Sequence, residues 1–214
     1  MMRACQPEIL DSLPHDHPDA IHNRRDLRII NRIMGNGGWF ERTLPRLLLP
    51  GDRVLELGAG TGELGLGLIQ RGIPVDGLDL WPRPPAWPAG REWHTADLKT
   101  FPGYGAYPVV IANLILHQFT GEELSKLGKE LRRDARVILA CEPERRRASQ
   151  VIVAAIGPLL GANHVTLHDA RVSIAAGFRG EELPDFLGLD PVSWLYSCRT
   201  TAGGALRMVA VRKP

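Results

Sequence analysis

The chain has 214 residues, of which 44% are hydrophobic and 23% are charged. This composition is typical of a globular domain and excludes collagen-like, coiled-coil and wholly disordered proteins. The 26 Lys and Arg residues exceed the 24 Asp and Glu residues by only two. That balance disfavours DNA, RNA or an anionic membrane as the main partner, although a local basic patch stays possible.

Cysteine and histidine usage gives no sign of a structural disulfide or metal. Cys5, Cys141 and Cys198 are odd in number and far apart, which disfavours a disulfide framework or a zinc ribbon. His15, His17 and His22 lack a fourth ligand at suitable spacing, so no metal site is predicted. Without a signal-peptide pattern or an apolar run of about 18 residues, a soluble cytoplasmic protein with no membrane span is expected.

The first fifty residues differ from the rest of the chain. Residues 1–20 are rich in Pro, Asp and His without any period, which predicts an irregular arm. Apolar residues at helical spacing predict a helix over 24–34 that ends at Asn36-Gly37-Gly38, and a second helix over 39–48.

Strand-like and helical segments alternate from residue 53 onward. The predicted strands are 53–57, 73–80, 92–96, 108–113 and 136–141, and the predicted helices are 64–71, 121–133 and 149–160. This alternation predicts an α/β fold with a doubly wound, mostly parallel sheet. Two β-rich runs, 193–199 and 205–213, are joined by a short Gly-containing segment, which predicts an antiparallel hairpin at the end and seven strands in all.

A glycine-rich loop, Glu56-Leu57-Gly58-Ala59-Gly60-Thr61-Gly62, lies between the first predicted strand and the helix after it. Glycines there allow a tight turn and a close approach of the backbone to a ligand. A dinucleotide fingerprint needs a small residue where this chain has Glu63, and a phosphate-binding P-loop needs a lysine that is missing. Neither phosphate motif therefore matches.

The loop resembles the first motif of class I S-adenosylmethionine (SAM) methyltransferases, E/D-x-G-x-G-x-G, and the resemblance extends over roughly residues 50–214. It implies SAM as cofactor, S-adenosylhomocysteine (SAH) as product, and an acid at the Glu56 position that meets the ammonium of SAM. The implied cofactor-binding residues are Glu56, Gly58, Ala59, Gly60, Gly62, Asp79, Leu80, Trp81, Asp97, Leu98, Asn113 and Leu114. Read singly, Glu56 could be a solvated acid and Asp79 a helix cap.

The implied positions follow the order of the strands. Asp79 would accept hydrogen bonds from the ribose hydroxyls, with Trp81 placed to stack on adenine. Asp97 and Leu98 would meet the adenine ring, and Asn113 and Leu114 would lie at the methionine end. The N-terminal helices, residues 1–50, are then expected to form a lid or substrate wall on a methyltransferase domain of residues 51–214.

The resemblance also bears on the acceptor. Residues 113–116 read Asn-Leu-Ile-Leu, not the Asn/Asp-Pro-Pro-aromatic motif of enzymes that methylate nucleic-acid bases. Residues 113–119, NLILHQF, resemble a segment of ubiquinone/menaquinone methyltransferases, and the whole chain resembles a bacterial subfamily that accompanies type III polyketide synthases. These resemblances imply a phenolic, pyrone or quinone-type small molecule methylated at oxygen or carbon. A protein or RNA methyltransferase and a non-catalytic SAM-binding or partner-binding module stay open.

Two histidines are candidate general bases, because a phenol or enolisable carbon is activated by a base working near neutral pH. His117 could instead cap a helix or pack on Phe119, and His168-Asp169 could be a surface loop turn.

Other candidates lie on the acceptor side. Glu142 could bind a substrate hydroxyl or cap the helix after Pro143, and Asn36 and Trp39 lead the candidates for the acceptor wall. The run Arg145-Arg146-Arg147 is interpreted as a solvated helix start, with an anionic group or a carrier protein as the alternative partner. A homodimer also stays open.

Overall fold

The computed structural model describes residues 1–14 and 16–214, so His15, one of the three histidines considered as metal ligands, lies outside the described residues. One sheet holds seven strands in the order β3-β2-β1-β4-β5-β7-β6. The strands are β1 (Val54–Leu57), β2 (Val75–Asp79), β3 (Trp93–Thr95), β4 (Val109–Asn113), β5 (Val137–Pro143), β6 (Trp194–Thr200) and β7 (Ala205–Arg212). Strands β1 to β5 pair in parallel, and β7 lies antiparallel between β5 and β6. The predicted doubly wound sheet with a terminal hairpin is confirmed.

In the described part of the chain, seven α-helices connect and cover the strands. They are α1 (Pro18–Met34), α2 (Asn36–Thr43), α3 (Glu63–Ile69), α4 (Gly121–Asp134), α5 (Arg147–Ile156), α6 (His164–Ala176) and α7 (Glu182–Phe186). Helices α6 and α7 were not predicted. Helix α6 buries the polar side chains of Thr166 and Asp169 together with apolar ones, which obscures its amphipathic period.

The N-terminal segment is more ordered than the sequence predicted. Helix α1 begins at Pro18 instead of residue 24, because the His17 side chain accepts a hydrogen bond from the Asp19 N–H and Pro18 suits the first turn. The helix ends at Gly35, whose φ of 67° is left-handed. Asn36, expected to end that helix, begins α2, so the predicted break was one residue late.

Two hydrophobic clusters cover the two faces of the sheet. Alternate residues of β5 point to opposite clusters: Ile138 and Ala140 join one, and Val137 and Leu139 join the other. All seven residues of β5 are buried, as expected for a strand covered on both faces. Among the described residues, no helix is both long and apolar enough to cross a membrane.

The basic run at the start of α5 is only partly solvated. Arg145 was predicted to be solvated, but it is 4% exposed. Its guanidinium donates to Glu182 at 2.5 Å and to the Gly177 carbonyl at 3.3 Å. Its backbone N–H also donates to the Phe178 carbonyl, which holds Arg145 beside the segment that leads into α7. Arg146 and Arg147 are exposed as predicted.

Candidate functional site

The polar residues singled out in the sequence lie at one edge of the sheet. Glu56, Asp79, Asn113 and Glu142 are at the carboxyl ends of β1, β2, β4 and β5, and Asp97 follows β3. In an open parallel sheet this edge is where ligands bind, at the point where the strand order reverses. The reversal lies here between β1 and β4.

The glycine loop between β1 and α3 folds back on itself. Gly58, Gly60 and Gly62 have φ values of 61°, 56° and 77°, which residues with a side chain rarely adopt. The Gly60 N–H donates to Asp79 Oδ2 at 2.7 Å, and the Gly62 N–H donates to the Ala59 carbonyl at 2.8 Å. The loop is therefore tied to the end of β2 through Asp79.

The space beside two of these glycines is occupied by side chains. A Cβ at Gly58 would lie 2.4 Å from Cγ1 of Ile115, so this glycine is required by packing of the segment after β4. A Cβ at Gly62 would lie 2.9 Å from the Trp87 ring. Gly60 has no atom within 4 Å of such a Cβ, which makes it the open position of the loop.

Glu56 is the least satisfied group of the site. Its side chain is 3% exposed, and its Oε2 is a buried oxygen without a hydrogen-bond partner among the described residues. Burial raises the pKa of Glu56 to about 8, because the opposing effect of a hydrogen bond from the Gly65 N–H is smaller. A Cβ at Gly65 would lie 2.7 Å from Oε2, so the glycine makes room for this carboxyl. A buried oxygen of this kind is suited to a cationic hydrogen-bond donor.

Asp79 and its neighbours shape the end of β2. The Asp79 carboxylate also accepts from the Trp81 N–H at 2.8 Å, and burial raises the pKa of Asp79. Leu80 exposes 70% of its surface beside it. The Trp81 ring lies under the guanidinium of Arg24, whose Cζ is 4.5 Å from the ring centroid. This edge therefore presents both an anion and an apolar surface.

The segment after β3 contributes a third carboxyl group. Asp97 accepts from the Lys99 N–H at 2.8 Å and keeps 39% of its side chain exposed. Leu98 is buried, and its carbonyl accepts from the Tyr104 hydroxyl at 2.5 Å. Of this pair, only the Asp97 side chain is therefore accessible.

Three amide side chains meet at the end of β4. Asn36 Nδ2 donates to Asn31 Oδ1 and to Asn113 Oδ1, each at 2.9 Å, and Asn113 Nδ2 donates to Asn31 Oδ1 at 3.0 Å. The Cys141 thiol on β5 lies 2.9 Å from Asn36 Oδ1, and burial raises the pKa of this thiol to about 12. Asn36 and Asn113, both predicted at the site, are thus in direct contact. The next residue, Leu114, has a strained φ of 57°.

His117 and Glu142 form a buried pair beyond this amide cluster. His117 Nδ1 lies 2.8 Å from Glu142 Oε2, and both side chains are almost completely buried. Glu142 also accepts from the N–H groups of Ile115, Leu116 and His117 at 2.9–3.2 Å. It therefore caps the 3-10 turn Leu116–Gln118, and not the helix after Pro143 that the sequence suggested.

A second carboxylate reaches His117 from the N-terminal arm. Glu8 Oε1 lies 3.3 Å from His117 Nε2, and Glu8 also accepts from Gln118 and Ser173. Burial alone would lower the pKa of His117, but the hydrogen bonds to Glu142 and Glu8 outweigh it and raise the pKa to about 9. The imidazole therefore carries protons on both nitrogens at neutral pH.

The arm is held by further contacts that the sequence did not reveal. Arg3 donates to the carbonyls of Ala176 and Phe119 at 2.7 and 2.8 Å. Asp169 on α6 accepts from the N–H groups of Ile9 and Leu10 at 2.8 and 3.0 Å. Arg3 and Glu8 were missed because a segment without a period offers no signal for contacts more than a hundred residues away.

The two remaining predicted residues, His168 and Trp39, lie on helices α6 and α2. His168 was placed in a polar loop, but it lies in helix α6 because Asn163 caps that helix at Thr166 N. Its Nδ1 is 2.9 Å from Asp169 Oδ1, and 45% of its side chain is exposed. Trp39 packs edge-on against Phe40 and under Arg207 of β7.

Comparisons with known proteins give structural relatives only. No family model matches the chain, and no curated protein matches it. The plantazolicin methyltransferase BpumL, in complex with a triazolic desmethylPZN analog and SAH, superposes with a TM-score of 0.70 over 96% of this chain and 93% of its own, at 12% identity.

Two further relatives are similar over most of the chain. Magnesium protoporphyrin IX methyltransferase (ChlM) from Synechocystis PCC 6803 with bound SAH has a TM-score of 0.54 and 20% identity, covering 86% of this chain and 83% of that one. A structure concerned with the conversion of a disulfide bond into a thioacetal group during echinomycin biosynthesis has a TM-score of 0.56 and 20% identity, covering 81% and 80%. The chain has the Rossmann-like fold of these methyltransferases.

Proposed function

We propose that this chain is a SAM-dependent methyltransferase that acts on a small molecule. The observation that carries the proposal is the buried Glu56 oxygen without a partner, set beside a glycine loop that lacks both phosphate-binding motifs. A ligand bound there should bring a cationic donor and not a pyrophosphate, because a cation stabilises the ionised form of this buried carboxyl, whereas a pyrophosphate would be repelled by it. The ammonium of SAM fits this requirement, and BpumL and ChlM, which share the fold, hold SAH.

The other residues at the edge fit the remaining parts of SAM. Asp79 would bind the ribose hydroxyls, and the exposed Leu80 and the Trp81 ring would cover the adenine. Asp97 has the accessible carboxylate needed for the adenine amino group. When bound, SAM supplies a methyl group on a sulfonium. The protein then has to align the acceptor and exclude water.

The cofactor is tested by thermal unfolding with SAM, SAH or NAD. Ligand at about 100 times its dissociation constant adds about 2.7 kcal/mol of stability. For a chain of this size, that corresponds to a rise in Tm of roughly 5–10 °C. We expect this rise with SAM and SAH and none with NAD. No shift with either sulfur compound, or an equal shift with NAD, contradicts the proposal.

We propose that the acceptor binds at the ends of β4 and β5, under the N-terminal arm. There the first fifty residues contact the sheet domain. Asn31 and Asn36 form hydrogen bonds with Asn113, and Glu8 lies within hydrogen-bond distance of His117. The structural relatives include a plantazolicin and a magnesium protoporphyrin IX methyltransferase, which supports a small-molecule acceptor. A phenolic, pyrone or quinone-type acceptor, methylated at oxygen or carbon, stays our specific proposal.

His117 stays the leading candidate for the general base, with Glu142 as its positioning residue. The protonated imidazole cannot accept a proton while Glu8 and Glu142 both hold it. We propose that the acceptor displaces Glu8 from Nε2, which lowers the pKa of His117. Nε2 then releases its proton to solvent, and the neutral imidazole can accept the proton of the acceptor. His168, half-exposed on α6, is the second candidate.

The acceptor class is tested by transfer of a labelled methyl group from SAM to alkylresorcinols, alkylpyrones and quinone precursors. We expect one of these classes to be labelled, and transfer by His117→Gln to fall at least about a hundredfold, the range for a general base. His168→Gln serves as the matched variant and should retain most of the activity. Label in bulk RNA or protein, or in none of these acceptors, would favour a macromolecular methyltransferase or a non-catalytic module.

A further inference from the structure

An uncharged apolar segment lies on the surface at helix α5. Residues 148–163 contain no Asp, Glu, Lys or Arg. Within this segment, Val151, Ile152, Ile156, Leu159 and Leu160 are all exposed, with Leu159 at 83%. No residue of α5 is buried. We call these five side chains the α5 patch. Monomeric proteins rarely leave a continuous apolar surface of this kind uncovered.

The α5 patch continues onto helix α1. His22 Nε2 lies 2.9 Å from the Gly161 carbonyl, so the first turns of α1 lie beside the end of the patch. Ile21, 54% exposed, precedes His22, and Arg25 is one helical turn further along. A shallow groove of about 470 Å³ there is lined by Pro18, Ile21, His22, Arg25 and Arg28.

Basic side chains surround the patch. Exposed Arg147 lies one turn before Val151 on α5, and the Gln150 amide donates to the carbonyl of exposed Arg171 at 3.1 Å. Within the described part of the chain, Arg25, Arg147 and Arg171 have no carboxylate within salt-bridge distance. Arg28 and Arg146 pair with Glu63 and Glu144. The near-zero net charge of the chain therefore conceals a local excess of positive charge at this surface.

We propose that the α5 patch and its arginines bind the surface of an anionic lipid membrane. An apolar helix face flanked by Arg is the combination that inserts at the boundary between headgroups and acyl chains, without spanning the bilayer. Arginine guanidinium groups beside it are attracted to anionic headgroups. Helix α5, with ten residues, would lie along the membrane plane.

A second copy of the chain is the less favourable occupant. A two-fold interface brings the same surface of both copies together. Arg25, Arg147 and Arg171 of both copies would then lie around the same apolar contact, with like charges at its rim. An anionic surface removes this repulsion, and the charge pattern therefore favours the membrane.

Vesicle co-sedimentation tests the proposal with the full chain. We expect binding to vesicles of phosphatidylcholine with about one-third phosphatidylglycerol, little binding to phosphatidylcholine alone, and release by high salt. Leu159→Asp and Ile152→Asp should abolish binding. Val192→Asp is the matched control, because Val192 is 82% exposed elsewhere on the molecule. Arg25→Gln and Arg147→Gln should each weaken binding about fivefold, as expected for about 1 kcal/mol per cation.

The controls separate the competing outcomes. Arg199→Gln changes an exposed arginine on β6 and should leave vesicle binding unchanged. Circular dichroism should show the same unfolding transition in every variant, because all the substituted side chains are exposed. Absence of binding to anionic vesicles, or an equal loss in Val192→Asp, overturns the proposal. A further outcome also overturns the proposal: the chain self-associates, Leu159→Asp removes the self-association, and no vesicle binding is seen. The patch is then assigned to a second copy of the chain.

Discussion

Replacing His117 by alanine is expected to lower the free energy of unfolding by about 3–5 kcal/mol at neutral pH. The imidazole lies between the carboxyl groups of Glu8 and Glu142, whose side chains are 10% and 0% exposed. Removing one partner of a buried ion pair costs this much because the remaining charge keeps its desolvation penalty. Urea-induced unfolding, followed by circular dichroism, measures the change.

His168→Ala is the matched control. His168 is half-exposed and pairs with a single carboxylate, so its loss should change stability by less than about 1 kcal/mol. Equal losses of unfolding free energy in the two variants would mean that the ion pairs of His117 stabilise the fold no more than the exposed pair of His168 does.

The pH dependence of unfolding gives a second readout for His117. Its folded-state pKa of about 9 lies above the ordinary value of 6.5. The protonated imidazole therefore stabilises the folded state fully below about pH 6.5, and this contribution is lost as the pH rises through 9. Wild-type protein should lose stability over that interval, and His117→Ala should lose less, because only the raised pKa of Glu56 then contributes, up to about pH 8. An equal loss in the two proteins contradicts the assigned proton.

Glu56→Gln is expected to stabilise the unliganded protein and to weaken SAM binding. The folded-state pKa of Glu56, about 8, lies above the ordinary value of 4.5. At pH 7 the carboxyl therefore holds its proton in the folded state and loses it on unfolding. This proton release favours the unfolded state by about 1.4 kcal/mol for each pH unit above 4.5, up to the folded-state pKa. The neutral amide removes this term, so the variant should gain on the order of 2–3 kcal/mol at pH 7 and almost nothing near pH 4.5.

The same substitution removes the carboxylate proposed for the SAM ammonium. A hydrogen bond to a charged group contributes about 1.5–3 kcal/mol, so SAM should bind roughly ten- to a hundredfold more weakly. Calorimetric titration measures the affinity, and thermal unfolding at pH 5 and pH 7 measures the stability. Glu63→Gln is the control, because this half-exposed surface acid pairs with Arg28. Unchanged SAM affinity in Glu56→Gln contradicts the role of Glu56.

Local patterns were sufficient to predict the sheet. Buried parallel strands are continuous apolar runs, and the glycine loop lies directly between one strand and one helix, so both can be recognised within a few residues. The same holds for the hairpin, whose turn residues mark it. The strand ends then placed Glu56, Asp79 and Asn113 at one edge, because all parallel strands end on the same side.

The contacts around His117 could not be predicted in this way. They join Glu8 of the arm to residues more than a hundred positions later, and neither the arm nor α6 has a clear period. Glu142 resembled a helix cap because the nearest helix follows it. In the structure its carboxylate accepts from the N–H groups of the segment after β4. Strand β4 is next to β5 in the sheet but distant from it along the chain, so the sequence around Glu142 does not reveal this contact.

The position of β7 has a consequence for synthesis on the ribosome. Strand β5 is buried along its whole length, and its second edge pairs with β7, which is more than sixty residues later in the chain. A nascent chain that has emerged only as far as α7 therefore carries an apolar strand with an open edge, which can pair with strands of other chains. Truncation before β7 should yield aggregates, and the interval before β7 emerges is when this protein most needs a chaperone.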